Sequence, residues 1–318
     1  MTPAPDQRDI AIQWIERAEE IPPWLWKKCF PAPLEGFWWY ATLDQCEIND
    51  QFSFSYAVLL RAGTRIGIAP TFLMDMPLDI VAPMPVSSVC NILSRVHPRF
   101  KYQRTLFVGS PCSDEGTVGL VPGESLSDVT PVLQRELDTR ARRLKASMVV
   151  WKDLPAYAAS EIGPLLTGCG LFSLTSYPGT RMEIRGKGFE DYLRSLGSNQ
   201  RHQLKKKLRK SRVMGELEES VVQHPDDALL DEIFSLFLQT YERSKTKFER
   251  LTPAFFKRIS SWPVSHFILL RDASNGNPVA FMLCFLSGKR AINKFIGIDY
   301  SYQGEWFLYF RLWEAAVK

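Results

Sequence analysis

The sequence predicts an α/β protein of two similar units with mixed sheets, preceded by a helical N-terminal cap. Its 318 residues correspond to about two domains of ordinary size. A hairpin pattern occurs twice, and each copy enters its turn through the triplet Leu-Leu-Arg, at Leu59 to Arg61 and at Leu269 to Arg271. Strands alternate with amphipathic helices around both hairpins, as in the α/β class. We therefore predict units at residues 1–180 and 181–318, the second lacking the final strands of the first.

The first fifty residues predict the helical cap. Apolar residues recur at helical spacing and indicate one amphipathic helix: Ile10, Trp14, Ile15 and Ala18. The aromatic run Phe37-Trp38-Trp39-Tyr40 indicates a second helix. We expect these two helices to cover the core of the first unit.

The first unit opens with the first hairpin, whose turn lies at Ala62-Gly63-Thr64 between two apolar runs rich in β-branched residues. Its later elements alternate between strand and helix. They are a strand at 104–109, a helix up to Leu144, a strand at 148–151, a helix at 157–168 and a strand from Leu171.

The second unit opens with a helix at 189–196 that Gly197 ends, and a basic helix follows. Its remaining elements repeat the order of hairpin, third strand and helix. They are a strand at 217–223, a helix at 226–244, a hairpin at 266–286, a strand at 292–298 and a helix at 306–317.

The composition excludes several classes of protein. With 45% hydrophobic and 23% charged residues, the chain is neither disordered nor fibrous. No apolar run approaches the roughly 20 residues of a membrane span, and the first residues lack a signal-peptide core, so we expect a cytoplasmic protein without a membrane span. The six cysteines and four histidines show no metal-ligand spacing. We expect no metal site, no disulfides and no permanently bound cofactor; the oligomeric state stays open.

The segment from Arg201 to Arg212 is the strongest site signal. It contains seven Lys or Arg residues and no acidic residue, whereas the whole chain has a net charge of only +4. The basicity is therefore local, which favours an anion site. On a helix, four of the candidate anion-binding residues would lie on one stripe: Arg201, Lys205, Arg209 and Arg212. Lys206 would lie beside this stripe.

Several partners fit such a stripe: the diphosphate of a nucleotide-linked substrate, the phosphates of coenzyme A, or an RNA backbone such as that of a tRNA. The alternative interpretation is a helix whose charges only face solvent. The absence of Asp and Glu weakens that alternative, because solvated helices usually mix both signs, and both interpretations stay open.

Other candidate residues lie near the ends of predicted elements. Asp114 and Glu115 are candidate general bases for an acceptor amine, or else they form a polar loop. Neighbouring Cys112 fits a buried thiol better than a nucleophile, because no histidine lies close in the sequence. Candidate substrate-binding residues also flank the long helix and the third strand of the second unit: Tyr241, Lys245, Lys294, Asp299 and Tyr302.

The order of elements and two local motifs resemble a known family. Phe189-Glu-Asp-Tyr-Leu-Arg-Ser-Leu196, followed by the basic run Arg201-His-Gln-Leu-Lys-Lys-Lys207, is similar to FemAB-like proteins of the GNAT superfamily of N-acyltransferases. The segment Tyr241–Lys245 with 251–256 is similar to the same families, so the resemblance covers roughly the last 130 residues. It implies two tandem GNAT-like units that transfer an acyl or aminoacyl group from acyl-CoA or aminoacyl-tRNA to an amine, in bacterial cell-wall chemistry.

One segment departs from the GNAT pattern. GNAT enzymes usually have a glycine-rich loop where the third strand leads into a helix, because its backbone N–H groups bind a pyrophosphate. Here the matching segment, Tyr300–Trp306, has Gln303 and Gly304 as candidate cofactor-binding residues and the acidic Glu305 beside them. Acyl-CoA therefore stays open as a co-substrate. The alternative function is a non-catalytic protein that binds a phosphorylated cell-wall precursor or nucleic acid.

Overall fold

A computed structural model describes residues 9–77, 102–113, 115, 118–175, 179–245, 247–302 and 304–318. The chain divides into two compact units, Met1–Gly179 and Thr180–Lys318. Each unit has its own sheet, and each is described here by itself. In the described part of the chain, no helix is both long enough and apolar enough to cross a bilayer.

The first unit contains a mixed sheet with strand order β1-β2-β3-β4-β6, and the short β5 pairs with β3. Strands β4 and β6 run parallel, whereas the other pairs are antiparallel. The strands are β1 (Ile10–Ile15), β2 (Ser53–Arg61), β3 (Thr64–Pro77), β4 (Tyr102–Val108), β5 (Gly119–Leu120) and β6 (Met148–Trp151). The predicted first hairpin and the strands at 104–109 and 148–151 are confirmed.

The α-helices described for the first unit are α1 (Pro23–Cys29), α2 (Phe37–Gln45), α3 (Leu126–Leu144) and α4 (Ala156–Gly168). The period of two along β2 directs Ala57 and Leu59 into one core cluster, which also contains Leu133 of α3. Tyr56 points to the opposite face, where its ring lies 5.7 Å from that of Trp26 in α1. Helix α2 is the second helix predicted for the cap, whereas α1, which packs beside it, was not predicted.

A half-buried carboxylate ties helix α2 to the sheet. Asp44 of α2 accepts a hydrogen bond of 2.7 Å from the Tyr56 hydroxyl and one of 2.6 Å from the backbone N–H of Ala18. Burial raises the pKa of Asp44 to about 6. Both hydrogen bonds and nearby Arg17 oppose this rise, and Glu19 adds to it. Asp44 therefore connects α2 to strand β2 and to the backbone at Ala18.

Two predictions for the first unit are wrong. Residues Ile10–Ile15 form strand β1 and not a helix, because Ile10, Ile12 and Trp14 alternate onto the core face while β2 supplies the backbone hydrogen bonds. No strand begins at Leu171 within 171–175, where Phe172 and Leu174 are about four-fifths exposed (80% and 79%) and no sheet partner lies beside them. Both apolar patterns are short, and tertiary contacts decide such segments.

The second unit contains a sheet with strand order β10-β9-β8-β7, and every described pair in it is antiparallel. The strands are β7 (Leu217–Val222), β8 (Ser265–Asp272), β9 (Pro278–Ser287) and β10 (Arg290–Ile298). The helices are α5 (Phe189–Ser195), α6 (Ser198–Met214), α7 (Asp227–Arg243), α8 (Pro253–Ser260) and α9 (Leu308–Val317), with a 3₁₀ turn at Gly304–Trp306. Helix α9 packs on one face of the sheet, and α7 and α8 pack on the other.

The two hairpins share a local irregularity. The register between β2 and β3 shifts between Leu59 and Leu60, and that between β8 and β9 shifts between Leu270 and Arg271. Each shift falls within the repeated Leu-Leu-Arg triplet, between its first two residues in the first hairpin and between its last two in the second. The two irregularities therefore lie one triplet position apart, close to the turn of each hairpin.

Candidate functional site

Helix α6 carries the basic segment, and its inner face fixes it within the second unit. Leu208 and Ser211 are buried there, and the Ser211 hydroxyl donates a hydrogen bond of 2.6 Å to the carbonyl oxygen of Trp306. At the end of the helix, a Cβ atom on Gly215 would overlap the Trp306 ring. Only glycine permits so close an approach, which holds α6 against the 304–306 turn.

An open groove lies between the outer side of α6 and this turn, with a volume of about 510 Å³. It is called the α6 groove below. Its lining residues are His202, Lys206, Arg209, Lys210, Val213, Met214 and Glu305. A concave surface with several cations and one carboxylate can bind a phosphorylated ligand through charge-assisted hydrogen bonds.

Four of the seven basic side chains of α6 have contacts within the second unit. Arg212 forms a 2.5 Å ion pair with Glu314, and Lys210 lies 3.6 Å from the Glu305 carboxylate. The ammonium group of Lys207 lies 3.9 Å from the centre of the Phe310 ring. Arg201 donates a long 3.4 Å hydrogen bond to the carbonyl oxygen of Arg194.

The other three basic side chains, Lys205, Lys206 and Arg209, are exposed. None of them has a carboxylate within ion-pair distance among the residues that the structure describes. Lys206 and Arg209 also line the α6 groove. These two side chains therefore combine the predicted charge with a concave surface.

The predicted stripe and the groove overlap only in part. Of Arg201, Lys205, Arg209 and Arg212, only Arg209 lines the groove, where Lys206 joins it. Successive helical residues are rotated by about 100°, so the groove follows the neighbouring stripe that begins at His202. Its regular spacing was visible in the sequence: His202, Lys206, Lys210 and Val213.

A buried charge network lies beneath the C-terminal end of α6. Glu314 and Arg311 of α9 are only 3% and 5% exposed, and Arg311 also forms a 3.2 Å ion pair with Glu219 of β7. Burial disfavours the charged form of Glu219, but hydrogen bonds from Lys318 and Arg311 outweigh it and lower its pKa. The network joins α6, β7 and α9 through ion pairs. Arg212 belongs to this network and does not line the α6 groove.

The segment before the turn is also tethered. The Tyr302 hydroxyl donates a 2.7 Å hydrogen bond to Asp272, and its ring lies 5.0 Å from the Trp306 ring. Burial, together with this hydrogen bond to a carboxylate, raises the pKa of Tyr302. Gln303 lies outside the described residues, and Gly304 is exposed. Tyr302 is thus a structural contact of the turn, and it does not line the groove.

The remaining candidates of the second unit lie away from the α6 groove. Tyr241 stacks 6.0 Å from Phe237 near the end of α7, and Lys245 is exposed beyond it. Lys294 is the extra residue of a bulge in β10. The Asp299 carboxylate accepts a 2.8 Å hydrogen bond from the backbone N–H of Ser301. The structure does not bring these four residues to the groove.

The candidate general bases belong to the first unit. Asp114 lies outside the described residues, and Glu115 is half-buried in the loop that follows β4. Cys112 of the same loop is buried, in agreement with the interpretation of a buried thiol. No cluster of three or more His, Cys, Asp or Glu side chains able to hold a metal ion occurs among the described residues.

Comparison with known proteins supplies a family for part of the chain. Residues 157–310 match the FemAB-like family model, described as peptidoglycan biosynthesis/recognition. No curated protein matches the sequence significantly. A similar solved structure is the crystal structure of FemX, with a TM-score of 0.53 and 11% identity, covering 96% of this chain and 86% of that one.

Two further solved structures are similar at lower scores. The structure of L-PGS from Bacillus licheniformis has a TM-score of 0.40 and 12% identity, covering 67% of this chain and 58% of that one. A conserved protein of unknown function from Bacteroides thetaiotaomicron VPI-5482 has a TM-score of 0.47 and 11% identity, covering 96% of this chain and 88% of that one.

The likeness to FemX over nearly the whole chain confirms the predicted fold class, an α/β protein of two units. At 11% identity this likeness shows the fold alone. Residues 157–310 match the FemAB-like family model, so the resemblance inferred from the α5 and α6 motifs is confirmed for that part of the chain. The α6 groove lies entirely within this matched segment.

Proposed function

We propose that the chain is an N-acyltransferase that moves an acyl or aminoacyl group from an activated carrier to an amine in peptidoglycan-related chemistry. One observation carries the proposal: two cations free of carboxylate partners, Lys206 and Arg209, line a groove inside the FemAB-like segment. The family description, peptidoglycan biosynthesis/recognition, supports the cell-wall context. The phosphates of the carrier or of the acceptor bind in the α6 groove.

The chemistry is direct transfer. The acceptor amine attacks the activated carbonyl carbon, a C–N bond forms, and the C–O or C–S bond to the carrier breaks. A carboxylate or water takes the proton that the amine loses, and Asp114 and Glu115 are the proposed carboxylates. Phosphate binding on α6 would contribute by holding the reacting groups together, which lowers the entropic part of the barrier.

Aminoacyl-tRNA fits the proposed site better than acyl-CoA. Coenzyme A presents a compact pyrophosphate, and the turn at the start of α9, where GNAT enzymes bind it, places the carboxylate of Glu305 beside Gly304. A nucleic-acid backbone needs only a row of cations. A cytoplasmic location is part of this proposal, because aminoacyl-tRNA occurs there.

The test of this proposal uses the full chain with a UDP-linked muropeptide that bears a free amine. Transfer from aminoacyl-tRNA or from acetyl-CoA is followed as the mass gain of the muropeptide. We expect the double variant Lys206→Glu with Arg209→Glu to lose about tenfold or more in affinity for the phosphorylated substrate, because two attractive contacts become repulsive. The matched control reverses two exposed cations outside the groove, Arg258→Glu with Lys289→Glu.

Equal losses in both double variants would show that only the overall charge matters and would contradict the α6 groove as the site. The word recognition in the family description favours a second candidate, a binding protein without catalysis. It predicts groove-dependent binding of the muropeptide with no mass gain from either carrier. Transfer by the control variant but not by the groove variant would decide for the enzyme.

A further inference from the structure

A single carboxylate lies in the otherwise basic α6 groove. Glu305 is 59% exposed at its side chain and lies 3.6 Å from the ammonium group of Lys210. Every other charged side chain that lines the groove is a cation or a histidine. A site built only for phosphates would gain nothing from this carboxylate, because a like charge near a bound anion weakens binding.

The backbone that carries Glu305 is fixed. The N–H of Phe307 donates a 3.1 Å hydrogen bond to the carbonyl oxygen of Gly304, which closes the 3₁₀ turn. The next residue, Trp306, packs against Gly215 and accepts the hydrogen bond from Ser211. The side chain of Glu305 therefore starts from a fixed backbone position at the C-terminal end of the groove.

Charge varies along the groove. At about 1.5 Å per helical residue, Lys206 lies roughly 6 Å before Lys210 along α6. Among the described residues, Lys206 and Arg209 have no carboxylate partner; Lys206 lies toward the N-terminal part of the groove, and Arg209 lies next to the Lys210–Glu305 pair. A ligand ammonium group can take the place of Lys210 beside Glu305, and Lys210 can then turn to a ligand phosphate.

We propose that Glu305 makes the α6 groove selective for phosphorylated ligands that also carry an ammonium group. The ligand phosphate lies at Lys206 and Arg209, and its ammonium group lies at Glu305. This inference rests on the proposed function in one respect: the groove must bind phosphate. It adds the class of ligand and assigns Glu305 as the residue that determines specificity.

The test compares two ligands that differ only at one end, 2-aminoethyl diphosphate and ethyl diphosphate. Their dissociation constants are measured by calorimetry on the full chain at low salt. For each protein, the dissociation constant of ethyl diphosphate is divided by that of 2-aminoethyl diphosphate. We expect this ratio to be about threefold larger in the wild type than in Glu305→Gln, because one exposed ion pair contributes about that much. Part of this change comes from tighter binding of ethyl diphosphate when the carboxylate is removed.

The control variant Glu218→Gln removes the same charge from the exposed side of β7, outside the groove, and it should leave the ratio unchanged. An identical ratio in the wild type and in Glu305→Gln, with both ligands still bound, would overturn the selectivity and leave the phosphate site standing. Failure of both ligands to bind the wild type would overturn the phosphate site and this inference together. Because Glu305 is exposed, we expect Glu305→Gln to unfold at the wild-type temperature.

Discussion

Gly297 sets the distance between strand β10 and helix α7. A Cβ atom at this position would lie 2.6 Å from the backbone of Leu236 and of Phe237, and it would overlap the Phe281 ring. The backbone of a helix cannot yield as a flexible side chain can. We expect Gly297→Ala to lower the free energy of unfolding by about 2 kcal/mol, the usual cost of overpacking a core.

Urea denaturation with a matched glycine variant tests this expectation. Gly304 has no atom within 4 Å of its hypothetical Cβ atom, so Gly304→Ala should leave the midpoint nearly unchanged. Unchanged stability of Gly297→Ala would mean that α7 moves away from β10 at little cost.

At the residue scale, the sequence predicts the chemistry of the candidate site better than its position. The absence of acidic residues between 201 and 212 indicated an anion site, and Lys206 and Arg209 do line the groove. The groove stripe begins at His202 because Leu208 and Ser211 pack inwards, which fixes how the helix is rotated. Nothing local to the sequence indicates that rotation, or that Glu305 meets Lys210 across about 95 positions of the chain.

At the element scale, α9 supports α6 through buried charge. Arg311 has two buried nitrogen atoms, Nε and one terminal nitrogen, without a hydrogen-bond partner, and its charge is balanced by Glu219 and Glu314. Removing Glu314 would leave Arg311 short of a counter-charge in a desolvated place. We expect Glu314→Ala to lower the free energy of unfolding by about 3 kcal/mol.

The comparison for this prediction is an exposed ion pair in the same unit. Lys257 and Asp227 are 66% and 78% exposed and lie 2.9 Å apart, so Lys257→Ala should change stability by no more than about 0.5 kcal/mol. Thermal or urea unfolding of both variants measures the two effects. Similar small losses would contradict the assigned role of Glu314 in fastening α9 to α6.

Elements with a long, strongly periodic pattern are the ones that the sequence predicts well. Helices α3 and α7 and both hairpins occur where their patterns place them. The sequence pattern of β1 predicts a helix because its six residues fit the period of a helix as well as that of a strand. Only the pairing with β2 decides between the two.

For the protein as a whole, the half-buried Asp44 makes stability depend on pH. Its pKa is raised from 3.8 to about 6 in the folded protein, chiefly by burial. The folded state therefore binds a proton that the unfolded state releases, so this contribution to stability is fully present below about pH 4 and is lost as the pH rises through 6.

Asp44→Asn isolates this contribution, because asparagine does not titrate. Between about pH 4.5 and about pH 7.5, the free energy of unfolding of the wild type should fall relative to that of Asp44→Asn by about 2 kcal/mol. Urea titrations at both pH values give the difference. A constant difference between the two proteins would mean that Asp44 titrates at its ordinary pKa.

Positive charge is distributed unevenly over the molecule. The net charge is +4, yet seven cations lie on α6 alone, so the other residues together are slightly acidic. Anions in solution will consequently be attracted to one helix and not to the surface at large, and added salt will weaken that attraction.

The parallel pairing of β4 with β6 has a consequence for the order in which the first unit assembles. Two strands in a hairpin can meet as soon as their turn closes, but Thr105 pairs with Met148 only after the intervening chain has crossed the sheet through α3. Closing so long a loop costs conformational entropy before any contact is gained. We therefore expect the docking of β6 to be a late event in the folding of the first unit.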